Sequence, residues 1–321
     1  EKIKLHMTIS GYTFVRNATK LAYPLKESIL SILDLVDEFV IAFIPGDEDD
    51  NTLELIESIN SDKIKIIEAG WEPERFRQNT LYSYLSDIAK NKCTGDWLFY
   101  LQVDEVVHEK YLPIIKNACK HFLNNPKVEG LLFNYRHFWG DYNHCFTHHG
   151  WYPREIRIIR NLPEIHSWRD AQSFRFYSQF EPTTAFYQSK KVARKLNVAH
   201  IRAEIYHYGW VRPPYTMSTK QDRMVKTWDS SRKKVKIVDY DYGPLDRIPE
   251  FTKSHPMVMQ KRIKKLDWDK DLQYSGKIQK GRALYKHEKL KYRVKSWIEL
   301  NLLGSKEIGG FKNYKIVAKF K

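Results

Sequence analysis

The feature that most constrains this chain is an alternation, over its first 140 residues, of short apolar runs with segments of helical spacing. Lys2 to Ile9 carries Ile3, Leu5, Met7 and Ile9 at period two, which predicts a first strand. Pro24 suits the first turn of a helix, and Leu25, Ile29, Ile32, Leu33 and Val36 follow at helical spacing. Phe39 to Ile44 is a short, fully apolar run of the kind buried in a parallel sheet, and Pro45-Gly46 breaks it. The pattern continues with a helix carrying Leu53, Ile56 and Ile59, a strand at 64–67, a helix at 79–92 and a strand at 97–103. A helix at 111–122 and a strand at 130–138 complete it. Strands separated by such helices need right-handed crossovers, so the expected fold class is α/β: a Rossmann-like, mostly parallel sheet with flanking helices. No G-x-G-x-x-G follows the first strand and no Walker A sequence is present, which removes the main support for dinucleotide and P-loop readings.

Beyond this body the pattern changes twice. Residues 139–211 read as irregular, aromatic and rich in His and Arg, a composition that carries function when a rigid sheet supports it. Residues 212–321 are basic. Their net charge is +16, against −1 for residues 1–211. The expected organisation is a catalytic domain at 1–211, with halves at about 1–138 and 139–211, and a basic, mainly helical region at 212–321. A basic third of this kind faces a membrane surface, a polyanionic acceptor or nucleic acid, or is a solvated lysine-rich tail. No apolar run approaches bilayer length. Three widely spaced cysteines, Cys93, Cys119 and Cys145, fit a reducing compartment, so a cytoplasmic location is expected.

In an open α/β sheet, ligands bind beyond the carboxyl ends of the strands. Three segments are predicted there: Ser10 to Asn17, Pro45 to Asp50, and Gln102-Val103-Asp104-Glu105. The last is the sharpest. Two adjacent carboxylates at the end of a buried apolar strand are costly unless something pairs with them. Mg²⁺ or Mn²⁺ carrying a diphosphate would do so. Equally, the two residues can begin an ordinary loop.

The chain resembles the family-two glycosyltransferases of GT-A fold, and among them bacterial members. The resemblance rests on Phe14-Val15-Arg16-Asn17-Ala18, on Asp104-Glu105-Val106-Val107-His108-Glu109-Lys110-Tyr111, and on three later stretches. These are Trp151 to Arg157, Trp168-Arg169-Asp170-Ala171-Gln172 and Tyr206-His207-Tyr208-Gly209-Trp210. The resemblance implies a nucleotide-sugar donor. Asp47 or Asp50 would face the base or ribose, with Ser10, Arg16 and Asn79 also on the donor side. Asp104 and Glu105 would face the metal and diphosphate, with His207 completing the metal shell and Arg212 neutralising a phosphate. The family's metal motif is Asp-x-Asp, and here its first position is Gln102, an amide that bonds ribose or phosphate but gives a metal no charge. An inverting transferase needs a base for the acceptor hydroxyl. Asp170 is the first candidate and Glu155 the second. Trp139, Trp151 and Trp168 offer faces for an acceptor sugar, and His148 is assigned to the acceptor loop.

The expected activity is therefore transfer of a sugar from a nucleotide-diphosphate donor to a hydroxyl of a glycan or lipid-linked acceptor, inverting and assisted by Mn²⁺ or Mg²⁺. Nucleic acid is not an expected partner. Two other classes fit parts of the pattern: a nucleic-acid-binding protein, from the charge, and a metal-dependent nucleotide-sugar hydrolase. An anionic membrane surface on the cytoplasmic side is a partner for Lys233, Lys234, Lys236, Lys261, Arg262, Lys264 and Lys265.

Overall fold

The computed structural model describes residues 7–146, 149–229, 238–303, 308–309 and 312–320. The first strand, β1, is Ile9–Val15. It starts where the period-two pattern was expected to end, so Ser10 lies inside a strand rather than beyond one. The β/α alternation is otherwise as the spacing predicts. Helix α1 (Leu25–Leu33), β2 (Glu38–Phe43), α2 (Thr52–Glu57) and β3 (Ile64–Glu68) follow in order. Then come α3 (Thr80–Lys90), β4 (Trp97–Tyr100), β5 (Glu105–Val107), α4 (Leu112–Phe122) and β6 (Gly130–Trp139).

Strands β3-β2-β1-β4 are parallel neighbours. Side chains alternate across the pleat, so each strand feeds two cores. Phe39, Ile41, Trp97 and Phe99 join Leu25, Ile29 and Ile32 of α1 and Ile115 of α4. Val40, Ala42, Leu98 and Tyr100 join Leu81, Leu85 and Ala89 of α3 on the other face. Burial on both faces is why these strands read as continuous apolar runs.

Residues 139–211 are more regular than expected. They form β7 (Cys145–Phe146), β8 (Arg154–Arg160), β9 (Ile165–Trp168), β10 (Ser173–Tyr177), the short helix α5 (Thr184–Gln188) and β11 (Ala193–Trp210). Strand β8 enters antiparallel between β4 and β6. Strand β11 is the longest described. It runs parallel to β6 along one edge, while β10 and β5 pair antiparallel on its other side. Its carboxyl end delivers His207, Gly209 and Trp210 to the same rim as the ends of β1, β2 and β4.

The basic region is less helical than expected. Its described residues hold α6 (Pro214–Trp228), α7 (Gln260–Ile263) and α8 (Leu290–Asn301), with single 3-10 turns and extended chain between them. Residues 257–263 form only a 3-10 turn and α7, and α8 is the last helix described. The chain ends in β12 (Tyr314–Phe320), which returns to the main sheet parallel to β11. Cys93, Cys119 and Cys145 are buried and unbridged.

One ion pair ties the two halves of the sheet together. Glu105 and Arg157 both have no exposed surface. Arg157 grips the carboxylate with two bonds, Nε to Oε2 at 2.7 Å and Nη2 to Oε1 at 2.8 Å. Tyr135 Oη donates to Oε1 at 2.8 Å and the Gln102 backbone N–H to Oε2 at 3.1 Å. The guanidinium lies between the rings of Tyr100 and Tyr135, and its remaining nitrogen, Nη1, donates to the carbonyls of Ile156 and Gln172. A buried charge stripped of its partner is expensive. Glu105→Gln is expected to lower stability by about 3–5 kcal/mol, read as the urea unfolding midpoint. A loss below about 1 kcal/mol would show that the pair does not hold this junction.

Candidate functional site

At the carboxyl rim lies a cavity of about 1060 Å³. One end is walled by Phe14, Arg16, Trp71 and Tyr82. Phe14 stacks on Tyr82 at 5.7 Å, and the Arg16 guanidinium covers the Trp71 ring at 4.8 Å. Arg16 is held there by its bond to the Pro45 carbonyl. Asp47 borders this end and pairs with Arg223 of α6 at 2.6 Å and Lys20 at 2.9 Å. Bonds from those two cations hold its carboxyl well below the usual carboxylate range. The other end is walled by Trp139, Trp151, Trp210, Tyr240, Tyr285 and His287. Trp139 and Trp210 stack at 4.7 Å. The Trp139 indole N–H is committed to the Tyr242 carbonyl, so this residue offers the cavity only its ring.

Between the two ends sit Asp104 and His207. Asp104 Oδ2 accepts from Lys220 Nζ at 3.2 Å, and the same ammonium donates to the Gly209 carbonyl at 2.8 Å. Arg212 stands behind, 4.0 Å from Oδ2. Burial pushes the Asp104 carboxyl up, but the positive charges beside it, Lys220 first and Arg212 behind, outweigh it and hold it at about 2. Burial, with Arg212 adding to it, pushes Lys220 down to about 8.

The tautomer of His207 follows from its neighbours. The Tyr152 carbonyl can only accept, so His137, 2.8 Å away through Nε2, carries its proton there. His137 Nδ1 is then an acceptor, and His207 Nδ1, 3.0 Å away, donates to it. That leaves His207 Nε2 as a bare lone pair, 3.8 Å from Asp104 Oδ1. Burial lowers the imidazole pKa, which keeps it neutral. Two acceptors thus face each other with no proton between them, an arrangement that a cation relieves. Gly209 makes room for it: a Cβ there would lie 2.4 Å from His207 Nε2 and 2.9 Å from Asp104 Oδ2. Asp104 and His207 fit a hard cation that takes its other ligands from a diphosphate. Among the described residues no third His, Cys, Asp or Glu joins them.

Asp170 reaches the cavity from the turn between β9 and β10. Arg169 and Ala171 on either side of it both have a φ of 59°, a left-handed conformation uncommon in residues other than glycine. The turn is pinned all round. Ser83 Oγ donates to the Arg169 carbonyl and accepts from Ala171 N–H, Gln102 Nε2 donates to the Ala171 carbonyl, and Arg157 holds the Gln172 carbonyl. Asp170 is open to the cavity, yet the protein around it withholds enough solvent to raise its pKa.

Of the residues proposed from sequence, Arg16, Asp47, Gln102, Asp104, His207, Asp170, Trp139 and Trp151 line this one cavity. Others do not. Ser10 is buried at the amino end of β1, donating to Glu38 at 2.6 Å and accepting from Gly95 N–H. Asp50 is consumed within its loop by Thr19, Lys20 and Thr52. Asn79 is the left-handed residue before α3 and lies off the cavity wall. Glu105 is no metal ligand, because Arg157 and Tyr135 occupy both its oxygens. Arg212 is fully buried behind Asp104, bonded to the Leu21 carbonyl. Trp168 packs beside Tyr177 and Ala193, with Arg169 and Arg175 against its ring. Glu155 lies behind the Asp170 turn, where Gln172 Nε2 reaches its Oε1 at 3.2 Å. His148 lies outside the described residues.

Sequence reasoning missed Lys220, Arg223, Tyr240, Tyr285 and His287, all in the region set apart as a basic tail. Lys220 had a signal: it falls between Met217 and Met224 on one stripe of α6, where an apolar residue is the norm.

No protein-family model and no curated protein sequence matches the chain. Among solved structures, the chain is similar to S. aureus TarS 1-349 at 13% identity and a TM-score of 0.36, over 69% of this chain and 65% of that one. The same fragment in complex with UDP-GlcNAc gives 13% and 0.36, over 69% and 66%. Glucosyl-3-phosphoglycerate synthase from Mycobacterium tuberculosis, in complex with Mn²⁺, UDP and glucosyl-3-phosphoglycerate, gives 16% and 0.29, over 42% and 45%. The chain spans less than two thirds of the length of each.

Burial pushes Glu155 up to about 7 from an ordinary 4.5. The folded protein therefore keeps a proton that the unfolded chain releases, and stability falls as pH rises from about 4.5 through 7. Glu155→Gln removes that fall. It is expected to be nearly neutral at pH 5 and stabilising at pH 8 by up to about 3 kcal/mol, compared by urea unfolding at the two values. An equal effect at both would mean that Glu155 is not protonated in the fold.

Proposed function

We propose that this chain is a glycosyltransferase that takes a sugar from a nucleotide-diphosphate donor and passes it to a hydroxyl of a glycan or lipid-linked acceptor. The observation that carries this reading is the single cavity in which the Asp104–His207 pair lies between an arginine-and-aromatic pocket and a tryptophan-and-tyrosine pocket, with Asp170 on the same wall. The sequence motifs shared with family-two glycosyltransferases support it independently.

In this reading the base stacks at the Phe14, Trp71 and Tyr82 end, beside Arg16 and Asp47. The diphosphate lies against Lys220 and the Asp104–His207 pair. Mn²⁺ or Mg²⁺, when bound, supplies positive charge to the leaving diphosphate, held by Asp104 and His207. Lys220 adds a further positive charge from the protein itself. The donor side draws on residues 1–138 and the acceptor side on 139–211. Both are completed from the basic region by α6 and by the chain at 240–287.

The acceptor sugar sits against Trp151, Trp210 and Tyr240. Asp170 takes the proton from the acceptor hydroxyl as its oxygen bonds to the anomeric carbon. The anomeric bond to the diphosphate breaks in the same displacement, which inverts configuration. The raised pKa of Asp170 suits this task, because a more basic carboxylate takes a proton more readily. Gln102 serves by position. It holds the Ala171 carbonyl and so steadies the Asp170 turn.

A thermal-shift panel of nucleoside diphosphates, with and without Mn²⁺, tests the donor side. A ligand at 100 times its dissociation constant should stabilise by about 2.7 kcal/mol. Asp104→Asn and Gly209→Ala should both lose the Mn²⁺-dependent part of the shift, each read against its own ligand-free melting temperature, which falls because Lys220 loses its buried partner or His207 is displaced. Unchanged Mn²⁺ dependence in both would remove the assignment. On the acceptor side, Asp170→Asn should slow transfer by about 10²–10⁴-fold with donor binding kept. Normal transfer by that variant would place the base elsewhere.

A further inference from the structure

Helix α8 is built inside out. Its inward side is polar. Ser296 Oγ accepts from His149 N–H at 2.8 Å, and Glu299 Oε1 bonds His149 Nδ1 at 2.8 Å and accepts from Ile308 N–H at 2.6 Å. Ser296 and Glu299 are each 6% exposed. Its outward side is apolar: Leu290 is 72% exposed, Val294 49%, Trp297 58% and Leu300 40%. These four recur at helical spacing and form one stripe. Exposed Lys289 flanks the stripe on one side and exposed Lys291 and Lys295 on the other, while exposed Arg293 stands within it between Trp297 and Leu300. The only acidic side chain of α8, Glu299, is turned inward.

A solvated helix would carry the opposite pattern. An apolar stripe with a central tryptophan and lysines on both shoulders matches the boundary of a bilayer, where apolar side chains enter the acyl region and ammonium groups reach anionic headgroups. With 12 residues α8 is about 18 Å long, and among the described residues no helix is long and apolar enough to cross a membrane. We infer that α8 is an interfacial helix that seats the protein on an anionic lipid surface through Leu290, Val294, Trp297 and Leu300.

The placement has a consequence for the cavity. His149, which anchors the inner side of α8, is followed by Gly150 and Trp151. Tyr285, Lys286 and His287 lead directly into the helix. All five of these neighbours line the cavity at its tryptophan end. Docking of α8 brings that end to the lipid surface, where a lipid-linked acceptor lies. This last step rests on the proposed transfer reaction, whereas lipid binding itself does not. The surface differs from the one expected from sequence. Of that set, Lys233, Lys234 and Lys236 lie outside the described residues, and Arg262 is engaged with Glu27 at 3.0 Å.

Flotation of the full chain with vesicles tests this. The wild type is expected to float with phosphatidylglycerol–phosphatidylcholine vesicles, and at least about tenfold more weakly with phosphatidylcholine alone. A triple variant, Leu290→Ser, Val294→Ser and Trp297→Ser, is expected to bind the anionic vesicles at least about tenfold more weakly. Because the three side chains are exposed, its melting temperature and its transfer to a water-soluble acceptor should stay unchanged. No binding by the wild type at low salt, or equal binding by the triple variant, overturns the inference. So does lipid-free self-association in sedimentation that the triple variant abolishes, which would make the stripe a contact between copies. Vesicle binding requires no donor, so absence of transferase activity leaves this result readable.

Discussion

Glu105 and Arg157 are wholly withdrawn from water at the point where the parallel and antiparallel parts of the sheet meet. A pair so buried is tolerable only when the remaining polar atoms are also satisfied. Here that requirement shapes the site. Tyr135 and the Gln102 backbone N–H take the carboxylate's spare capacity, and the carbonyls of Ile156 and Gln172 take that of the guanidinium. The bond to Gln172 fixes one end of the Asp170 turn. The bond from Gln102 fixes where the chain leaves β4, and therefore where Asp104 emerges. A single ion pair thus sets two of the cavity's carboxylates, Asp104 and Asp170, although it faces neither end of the cavity.

The cavity is then an electrostatic arrangement as much as a shape. Asp104 lies against the cations Lys220 and Arg212, so it stays ionised in spite of its burial. Asp170, 66 residues on, is driven the other way, because burial there outweighs the charges of Arg169 and Arg157. Two carboxylates in one cavity therefore differ in basicity because of what packs around them, which is how a site separates a charge-binding role from a proton-accepting one. The left-handed Arg169 and Ala171 carry the strain of presenting Asp170, and bonds from Ser83, Gln102 and Arg157 hold it in place.

The β/α alternation was legible because strands buried on both faces must be apolar throughout and helices must show one apolar side. Asp104 and His207 were legible because they stand in motifs at a strand end. Glu105 was misread for a physical reason: a carboxylate beside Asp104 in sequence points to the opposite side of the chain, toward Arg157, 52 residues away. Ser10 was misread because the strand expected to end at Ile9 runs on from Ile9 to Val15. The strands at 154–160 and 193–210 were hidden because Arg, His and Glu stand among their apolar residues, several of them paired with a partner distant in sequence, such as Glu204 with Arg136 and Arg157 with Glu105.

The sequence by itself determined the α/β class, the order of the first elements, and the motifs that reach the carboxyl rim, because periodicity and strand-end position are local properties. The tertiary structure alone decided which charges meet. Lys220 faces Asp104 across 116 residues, Arg223 faces Asp47 across 176, and Tyr285 comes back to the wall that holds Trp139. It alone decided, too, that α8 turns its serine and glutamate inward and its leucines and tryptophan out. The reason is the same in each case. Most of the charged and polar side chains buried here meet a partner, and chain topology, not local pattern, brings that partner.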